Sequence, residues 1–242
     1  MIPNLIDTHF HLDFYKEHHE IYNKINRLKQ YTLCMTNSPS IYLSCKQIYP
    51  ETKYLKFALG FHPRDEQLGE REFNIFMQLI NHTKYVGEIG LDFNNASKLI
   101  KEKQYAYFER IVSVCTKGNK LMSVHLRNSE DEAICILKKY KPSKCIIHWF
   151  NGSETQLRSL VHLGCYFSIN SSMVENNRYN DKLLIIPESR ILIESDGPFS
   201  KVKKRRYSVE LLNDIYCSIA DYYENPNLRH LVYSNFRRIL LS

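Results

Sequence analysis

The sequence lacks several features that mark particular classes of protein, and each absence narrows what the chain can be. No stretch approaches the roughly 20 apolar residues of a membrane-spanning helix, so we expect no membrane partner. The first residues carry neither a basic segment nor a long apolar run, which predicts no secretory signal peptide. No linker rich in glycine, proline or serine interrupts the 242 residues, so we predict one domain over residues 1–242.

Paired-cysteine motifs are also absent. The seven cysteines are scattered and form no C-x-x-C motif, which argues against both a disulfide framework and a zinc–thiolate site. Together with a globular composition, 43% hydrophobic, these thiols predict a reduced, cytoplasmic protein. Lys plus Arg exceed Asp plus Glu by 33 − 26 = 7, and this excess of positive charge favours anionic partners such as nucleic acid.

Short β-prone runs alternate with amphipathic segments along the chain. We predict strands at 4–9, 31–36, 55–60, 85–90, 121–126, 144–149, 165–170 and 190–195. We predict helices at 67–82, 101–117, 208–224 and 227–241. This alternation is typical of parallel βαβ units, so the predicted fold class is α/β, a (β/α)8 TIM barrel. A doubly wound open sheet would give a similar alternation.

The carboxyl ends of most predicted strands carry residues that bind metals or transfer protons. His9 and His11 are two residues apart in the first strand and therefore share one face. The other candidates are Asp7, His62, Glu88, Asp92, His125, Arg127, His148, Glu194 and Asp196. Barrel enzymes assemble their active sites at this end from several strands. Each residue alone would more often be structural, but their recurrence at equivalent positions indicates a metal site.

The composition of this candidate site indicates hydrolysis. These candidates supply more imidazole and carboxylate donors than one metal ion needs. A catalytic zinc usually takes three protein ligands, so four imidazoles and two carboxylates suit two divalent metal ions that share a bridging carboxylate. Mg²⁺, Mn²⁺ and Zn²⁺ all stay open as the native metal. Such a pair activates water for attack on a phosphoryl or acyl group.

A basic cluster follows the last predicted strand, between residues 201 and 206. Clusters of this kind are usually solvated surface, but loops at this end of a barrel overlook its mouth. Lys203, Lys204 and Arg205 are therefore candidates for binding a phosphate backbone. Trp149 and Phe93, if exposed, could stack on unpaired bases. We accordingly predict a nucleic-acid partner, DNA or RNA, single-stranded or at an end.

Six motifs, in order, resemble those of the TatD family of metal-dependent deoxyribonucleases, within the amidohydrolase superfamily. They are DTHFH, GFHP, VGEIGLDF, SVHLR, IIHWFNGS and ILIESDGP. The match extends from Ile6 to the SNFRRIL segment near the end of the chain. The resemblance implies a (β/α)8 barrel and exonuclease-like hydrolysis of DNA, with 3′→5′ polarity favoured.

The resemblance also implies a role for each matching residue. The ligands that it implies for one metal are His9, His11, Glu88 and Asp196. Those that it implies for the second are Glu88, His125 and His148, with Glu88 as the bridge. Asp196 would also take the proton of the attacking water, while Glu88 would bridge the two metals. Asp196 and Glu88 are therefore the predicted catalytic residues.

Further positions would act around the metals. His62 and Arg127 resemble residues that contact the scissile phosphate, where an arginine can offer two parallel hydrogen bonds. Asp7, Asp92 and Glu194 would hold ligands in orientation.

Some positions depart from the family pattern, and other functions stay open. Trp149 and Asn151 replace a cysteine and a serine that usually follow the strand-six histidine, which concerns substrate preference because every implied ligand is present. One alternative is a small-molecule amidohydrolase or lactonase, although many of those carry a carboxylated lysine where this chain has Glu88. Another is a non-catalytic barrel subunit of a multi-protein system, such as phage defence.

Overall fold

A computed structural model describes residues 2–64, 69–175 and 181–242. The strands are β1 (Ile6–Phe10), β2 (Tyr31–Cys34), β3 (Leu55–Phe57), β4 (Leu59–Phe61), β5 (Tyr85–Asp92), β6 (Leu121–Arg127), β7 (Cys145–His148), β8 (Tyr166–Ile169), β9 (Ile191–Ile193), β10 (Lys201–Val202) and β11 (Arg205–Arg206). The helices are α1 (His18–Leu28), α2 (Pro39–Ile48), α3 (Glu70–Leu79), α4 (Lys98–Lys117), α5 (Glu130–Tyr140), α6 (Glu154–His162), α7 (Ser171–Glu175), α8 (Leu212–Tyr222) and α9 (Leu228–Leu241).

Every predicted strand is present, and the run at 55–60 is divided into β3 and β4 at Ala58. The helices predicted at 101–117 and 227–241 correspond to α4 and α9. The prediction for 67–82 was too long, because α3 ends at Leu79 and a 3-10 turn follows, while residues 67 and 68 lie outside the described residues. The prediction for 208–224 likewise contains a 3-10 turn before α8.

The ends and faces of α4 illustrate how local sequence sets these elements. The hydroxyl of Ser97 accepts a hydrogen bond from the backbone N–H of Ile100, which caps the first turn. Phe108, Val112 and Cys115 recur at helical spacing and are fully buried against the strands. None of the helices in the described part of the chain combines the length and apolarity needed to cross a bilayer.

The parallel strands follow one another in chain order around the core. β1, β2 and β3 pair in sequence, and so do β4 through β9. The chain segment after β9 returns to β1, where the N–H of Asp196 donates to the carbonyl of His9 at 2.9 Å and the N–H of His11 donates to the carbonyl of Gly197 at 2.9 Å. These contacts bring the first strand beside the last, as a (β/α)8 barrel requires.

One glycine allows two strands of the site to approach closely. Gly90 in β5 has a φ of 144°, a conformation that residues with a side chain rarely adopt. A Cβ atom at this position would lie 1.9 Å from the carbonyl oxygen of His125. Gly90 therefore lets β5 lie close against β6 at His125, whose ring contacts both Glu88 and Asp92.

Candidate metal centre

The candidate site lies at the carboxyl ends of the barrel strands, around one buried carboxylate. The residues that converge there come from five places in the chain: His9 in β1 with His11 directly after that strand, Glu88 from β5, His125 from β6, His148 from β7 and Asp196 from just beyond β9. Parallel strands place their carboxyl ends at one edge, so residues distant in sequence meet. All six predicted donors are thus brought together.

Glu88 directs its two oxygens to two different sets of imidazoles. Oε2 lies 3.5 Å from Nε2 of His9 and 3.3 Å from Nε2 of His11. Oε1 lies 2.9 Å from Nδ1 of His125 and 3.0 Å from Nε2 of His148. A carboxylate whose two oxygens face two different sets of imidazoles has the geometry expected of a ligand that bridges two cations.

Asp196 adds a second carboxylate to the set around His9 and His11. Its Oδ1 lies 3.5 Å from Nε2 of His11 and 3.8 Å from Nε2 of His9. The backbone at Asp196 has a φ of 47°, a left-handed conformation that aspartate tolerates better than most residues. This turn aims the carboxylate back at β1.

The separations between donor atoms fit metal binding. Two ligand atoms that each lie about 2.0–2.1 Å from a tetrahedral zinc are separated by roughly 3.3–3.4 Å. Nε2 of His9 and Nε2 of His11 are 3.1 Å apart, and Nδ1 of His125 and Nε2 of His148 are 3.4 Å apart. Imidazole and carboxylate donors at this spacing suit zinc, manganese or iron.

His62 was predicted to contact the substrate phosphate, but it lies among the candidate metal donors themselves. Its Nε2 is 3.4 Å from Oε1 of Glu88, and its ring centroid is 5.0 Å from that of His125. His62, Glu88 and His125 form one of the three donor groups that could hold an ion. His62 can therefore reach either a cation or a substrate oxygen bound beside it.

Hydrogen bonds on the outer side of two rings fix which nitrogen faces the centre. Nδ1 of His9 is 2.8 Å from Oγ of Ser123, and Nε2 of His125 is 3.1 Å from Oδ2 of Asp92. Contacts of this kind select the tautomer of a metal-binding histidine and hold its ring in place. Asp92 was predicted for this role. Ser123 was missed, although it precedes His125 by two residues in β6 and so shares its face.

Glu194 and Asp7 were both predicted to orient ligands, but Glu194 contacts a donor imidazole whereas Asp7 contacts Ser195. Glu194 lies 3.5 Å from Nδ1 of His148 and accepts a hydrogen bond from Nδ2 of Asn170 at 3.0 Å. Asp7 accepts hydrogen bonds from the N–H of Ser195 at 2.9 Å and from its Oγ at 2.5 Å. Asp7 thus links β1 to the segment that carries Asp196. It orders the backbone of that segment and does not directly orient a donor ring.

A cleft of about 480 Å³ opens over the donors. His62 and Arg127, the two predicted phosphate contacts, both line it. So do Arg64, Trp149 and Phe199, of which Arg64 and Phe199 were not singled out from the sequence. The cleft therefore combines cationic groups with aromatic side chains beside the donor cluster.

The basic cluster does not reach this cleft. Its residues form the hairpin of β10 and β11, and Lys203, Lys204 and Arg205 are not among the residues that line the cleft. Nζ of Lys203 instead lies 3.1 Å from Oδ1 of Asp214 in α8. All three side chains are exposed, so they present positive charge beside the barrel rather than over the donors.

Of the two aromatic residues that were candidates for stacking on bases, only Trp149 lies in the cleft. Trp149 is partly buried and lines the cleft. Phe93 is only 8% exposed, and Nζ of Lys101 lies 5.5 Å from its ring centroid. The hypothesis was wrong for Phe93, because a ring covered on one face and packed on the other leaves no surface for a base.

The carboxylates strongly affect the protonation of the imidazoles. Burial by itself lowers the pKa of His11, but hydrogen bonds to Asp196 and Glu88 outweigh it and raise the pKa to about 10. Burial is outweighed in the same way at His148 and His125, whose pKa values are raised by neighbouring carboxylates. The carboxylates therefore favour the protonated forms of His11 and His148, whereas burial lowers the pKa of His9.

Metal binding is expected to release protons at neutral pH, and the affinity is expected to weaken as the pH falls. A metal ion needs the neutral imidazole nitrogen, whereas the raised pKa values of His11, His125 and His148 keep protons on the metal-free site. Calorimetric titration with Zn²⁺ or Mn²⁺ in two buffers of different ionisation enthalpy measures the protons released. Equal heats in both buffers would contradict this prediction.

The fold and the donor cluster together define a class, the metal-dependent hydrolases built on a parallel α/β barrel. Within this class the chain belongs to the TatD family, since the model for TatD related DNase matches residues 6–241. A crystal structure of YJJV, a TatD homologue from Escherichia coli K12, superposes with a TM-score of 0.85, covering 97% of both chains at 20% identity. This similarity confirms the predicted fold class.

Relatives of known sequence agree with this assignment. An uncharacterized metal-dependent hydrolase of Buchnera aphidicola subsp. Baizongia pistaciae is 31% identical, with 81% of this chain and 78% of that protein covered. Another from Buchnera aphidicola subsp. Acyrthosiphon pisum is 26% identical over 97% of this chain and 98% of its own length. Deoxyribonuclease Tat-D of Schizosaccharomyces pombe is 29% identical, but the match spans 48% of this chain and 38% of that protein.

Proposed function

We propose that the protein hydrolyses phosphodiester bonds of DNA, at single strands or ends, with two divalent metal ions in the site around Glu88. The observation that carries this proposal is the division of Glu88 between two donor sets at the floor of a cleft lined by His62, Arg64 and Arg127. Cationic groups beside a two-metal site suit an anionic phosphodiester better than a neutral amide.

In this proposal the six donors hold the cations, and other groups of the chain act on the substrate. Bound metal ions would lower the pKa of a water molecule and neutralise charge on the phosphate. Asp196, whose Oδ1 faces His11 at 3.5 Å, accepts the proton of the attacking water. His62 and Arg127 bind the non-bridging phosphate oxygens, and Arg64 has the charge and position to assist them.

The remaining residues keep the reactive groups in place. Asp92 holds the ring of His125, and Glu194 holds that of His148. Lys203, Lys204 and Arg205, which lie outside the cleft, attract the more distant phosphates of a polynucleotide by their long-range field. We propose 3′→5′ removal of nucleotides by analogy with the family, and a single hydrolase domain over residues 1–242.

A nuclease assay tests this function directly. We expect metal-dependent shortening of single-stranded DNA, with slower action on blunt duplex, when both are compared with RNA of the same sequence in Mg²⁺, Mn²⁺ and Zn²⁺. EDTA should abolish the reaction, and rising salt should weaken it. Turnover of amides or lactones without nucleotide release would favour the small-molecule alternative. Binding of DNA without turnover in any metal would favour a non-catalytic subunit.

A further inference from the structure

Two exposed phenylalanines meet beside the donor cluster, although they lie near opposite ends of the chain. Phe14, in the turn after β1, is 43% exposed, and Phe199, in the segment after β9, is 52% exposed. Their ring centroids are 4.9 Å apart in an edge-to-face arrangement. Among the tryptophan, tyrosine and phenylalanine residues in the described ranges, only Tyr233 on α9, at 39%, is exposed to a similar degree.

The pair is fixed to the site itself. The centroid of the His11 ring lies 5.4 Å from that of Phe199 and 5.7 Å from that of Phe14. The backbone N–H of Phe199 donates to the carbonyl of Asp196 at 2.7 Å, so Phe199 belongs to the turn that aims Asp196 at the donors. An exposed aromatic surface is therefore held in a set position next to a proposed ligand and the proposed base.

The cleft thus has different chemistry along its length. Phe199 lies beside His11, whereas Nε of Arg64 is 3.7 Å from Oδ2 of Asp92, the carboxylate that contacts His125. Arg127 lines the same cleft. A nucleotide has a charged phosphate and a flat base, and these need a cationic group and an aromatic face respectively. Phe199 is thus an exposed apolar side chain on the wall of a polar cleft, with Phe14 packed against it, and this exposure is explained when a flat, uncharged group covers Phe199.

We propose that Phe199, supported edge-on by Phe14, is the stacking platform for the base adjoining the scissile phosphate. This inference rests on the proposed nuclease function and adds the part of the substrate that the donor cluster does not address. Stacking accepts any of the bases, so the platform confers preference for nucleotides over other phosphodiesters without sequence specificity.

The test compares oligothymidylate with an oligomer of equal length in which every base is replaced by a tetrahydrofuran abasic unit. We expect Phe199→Ala to lower kcat/KM for oligothymidylate about 5-fold to 100-fold, mainly through KM, and to leave the abasic oligomer unchanged. Phe199→Trp should retain the wild-type preference. Tyr233→Ala, which removes an exposed aromatic side chain on α9, should match wild type on both substrates.

Several results would overturn the platform. Equal losses on both substrates, or a lower metal content in Phe199→Ala, would show that Phe199 only shields His11 from water. An unchanged kcat/KM for oligothymidylate would show that no base rests on it. If wild type hydrolyses neither oligomer in any metal, the nuclease function itself fails, and the platform fails with it; wild-type activity with no effect of Phe199→Ala rejects the platform alone.

Discussion

Replacing Glu88 by glutamine is expected to lower metal-dependent hydrolysis about 10³-fold or more. The amide keeps the shape of the side chain but has one oxygen in place of two. It therefore cannot place one oxygen toward a cation between His9 and His11 and another toward a cation between His125 and His148. In the proposed two-metal site, loss of the bridging carboxylate would remove several kcal/mol of transition-state stabilisation, and each 1.4 kcal/mol is tenfold in rate. The measurements are kcat/KM for single-stranded DNA and the metal content per chain.

Glu102→Gln is the matched control for this variant. Glu102 in α4 is exposed and forms an ion pair with Lys98 at 3.9 Å, so the same change there should leave both activity and metal content unaltered. Circular dichroism should show the same helix content in both variants. Near wild-type activity in Glu88→Gln would refute the central role of Glu88.

Replacing Asp196 by asparagine is expected to lower kcat by about 10²–10⁴-fold while much of the metal content is kept. The amide oxygen can still face His11 and His9, and the backbone hydrogen bond from Asp196 to the carbonyl of His9 does not involve the side chain. The amide cannot take a proton from water, so the defect should appear in kcat and in the shape of the pH–rate profile. Steady-state kinetics across pH, with metal analysis, measures both.

The control for this second variant is Asp221→Asn on the exposed surface of α8, which should behave as wild type. A variant at Asp196 that loses its metal entirely, with no separate kinetic defect, would assign Asp196 a ligand role alone. Full activity in Asp196→Asn would exclude it from both roles.

Much of the donor cluster could be predicted because it depends on two regular features of the chain. Side chains two residues apart in a strand share a face, and the carboxyl ends of parallel strands meet at one edge. These rules place His9 and His11 together and bring Glu88, His125 and His148 to the same edge. Ser123 follows the same rule from His125, and the sequence therefore contained the signal for it as well.

The basic cluster was placed less accurately because charge alone carries no direction. The sequence puts Lys203, Lys204 and Arg205 after the last barrel strand, where they were predicted to face the mouth. They form a short hairpin instead, and Lys203 pairs with Asp214. Long, solvated side chains adopt whichever orientation neighbouring charges favour, and those neighbours come from a helix farther along the chain.

The sequence by itself determined the alternation of strands and helices and the identity of the donors, since both follow from local periodicity and residue chemistry. Only the tertiary structure decided which oxygen of Glu88 faces which imidazoles, because that depends on how the strands close beside one another. The same closure brings Phe14 and Phe199 together against His11. Contacts between segments far apart in the chain follow from no local sequence pattern. The sequence alone therefore could not predict this aromatic surface, which forms because β1 lies beside the segment after β9.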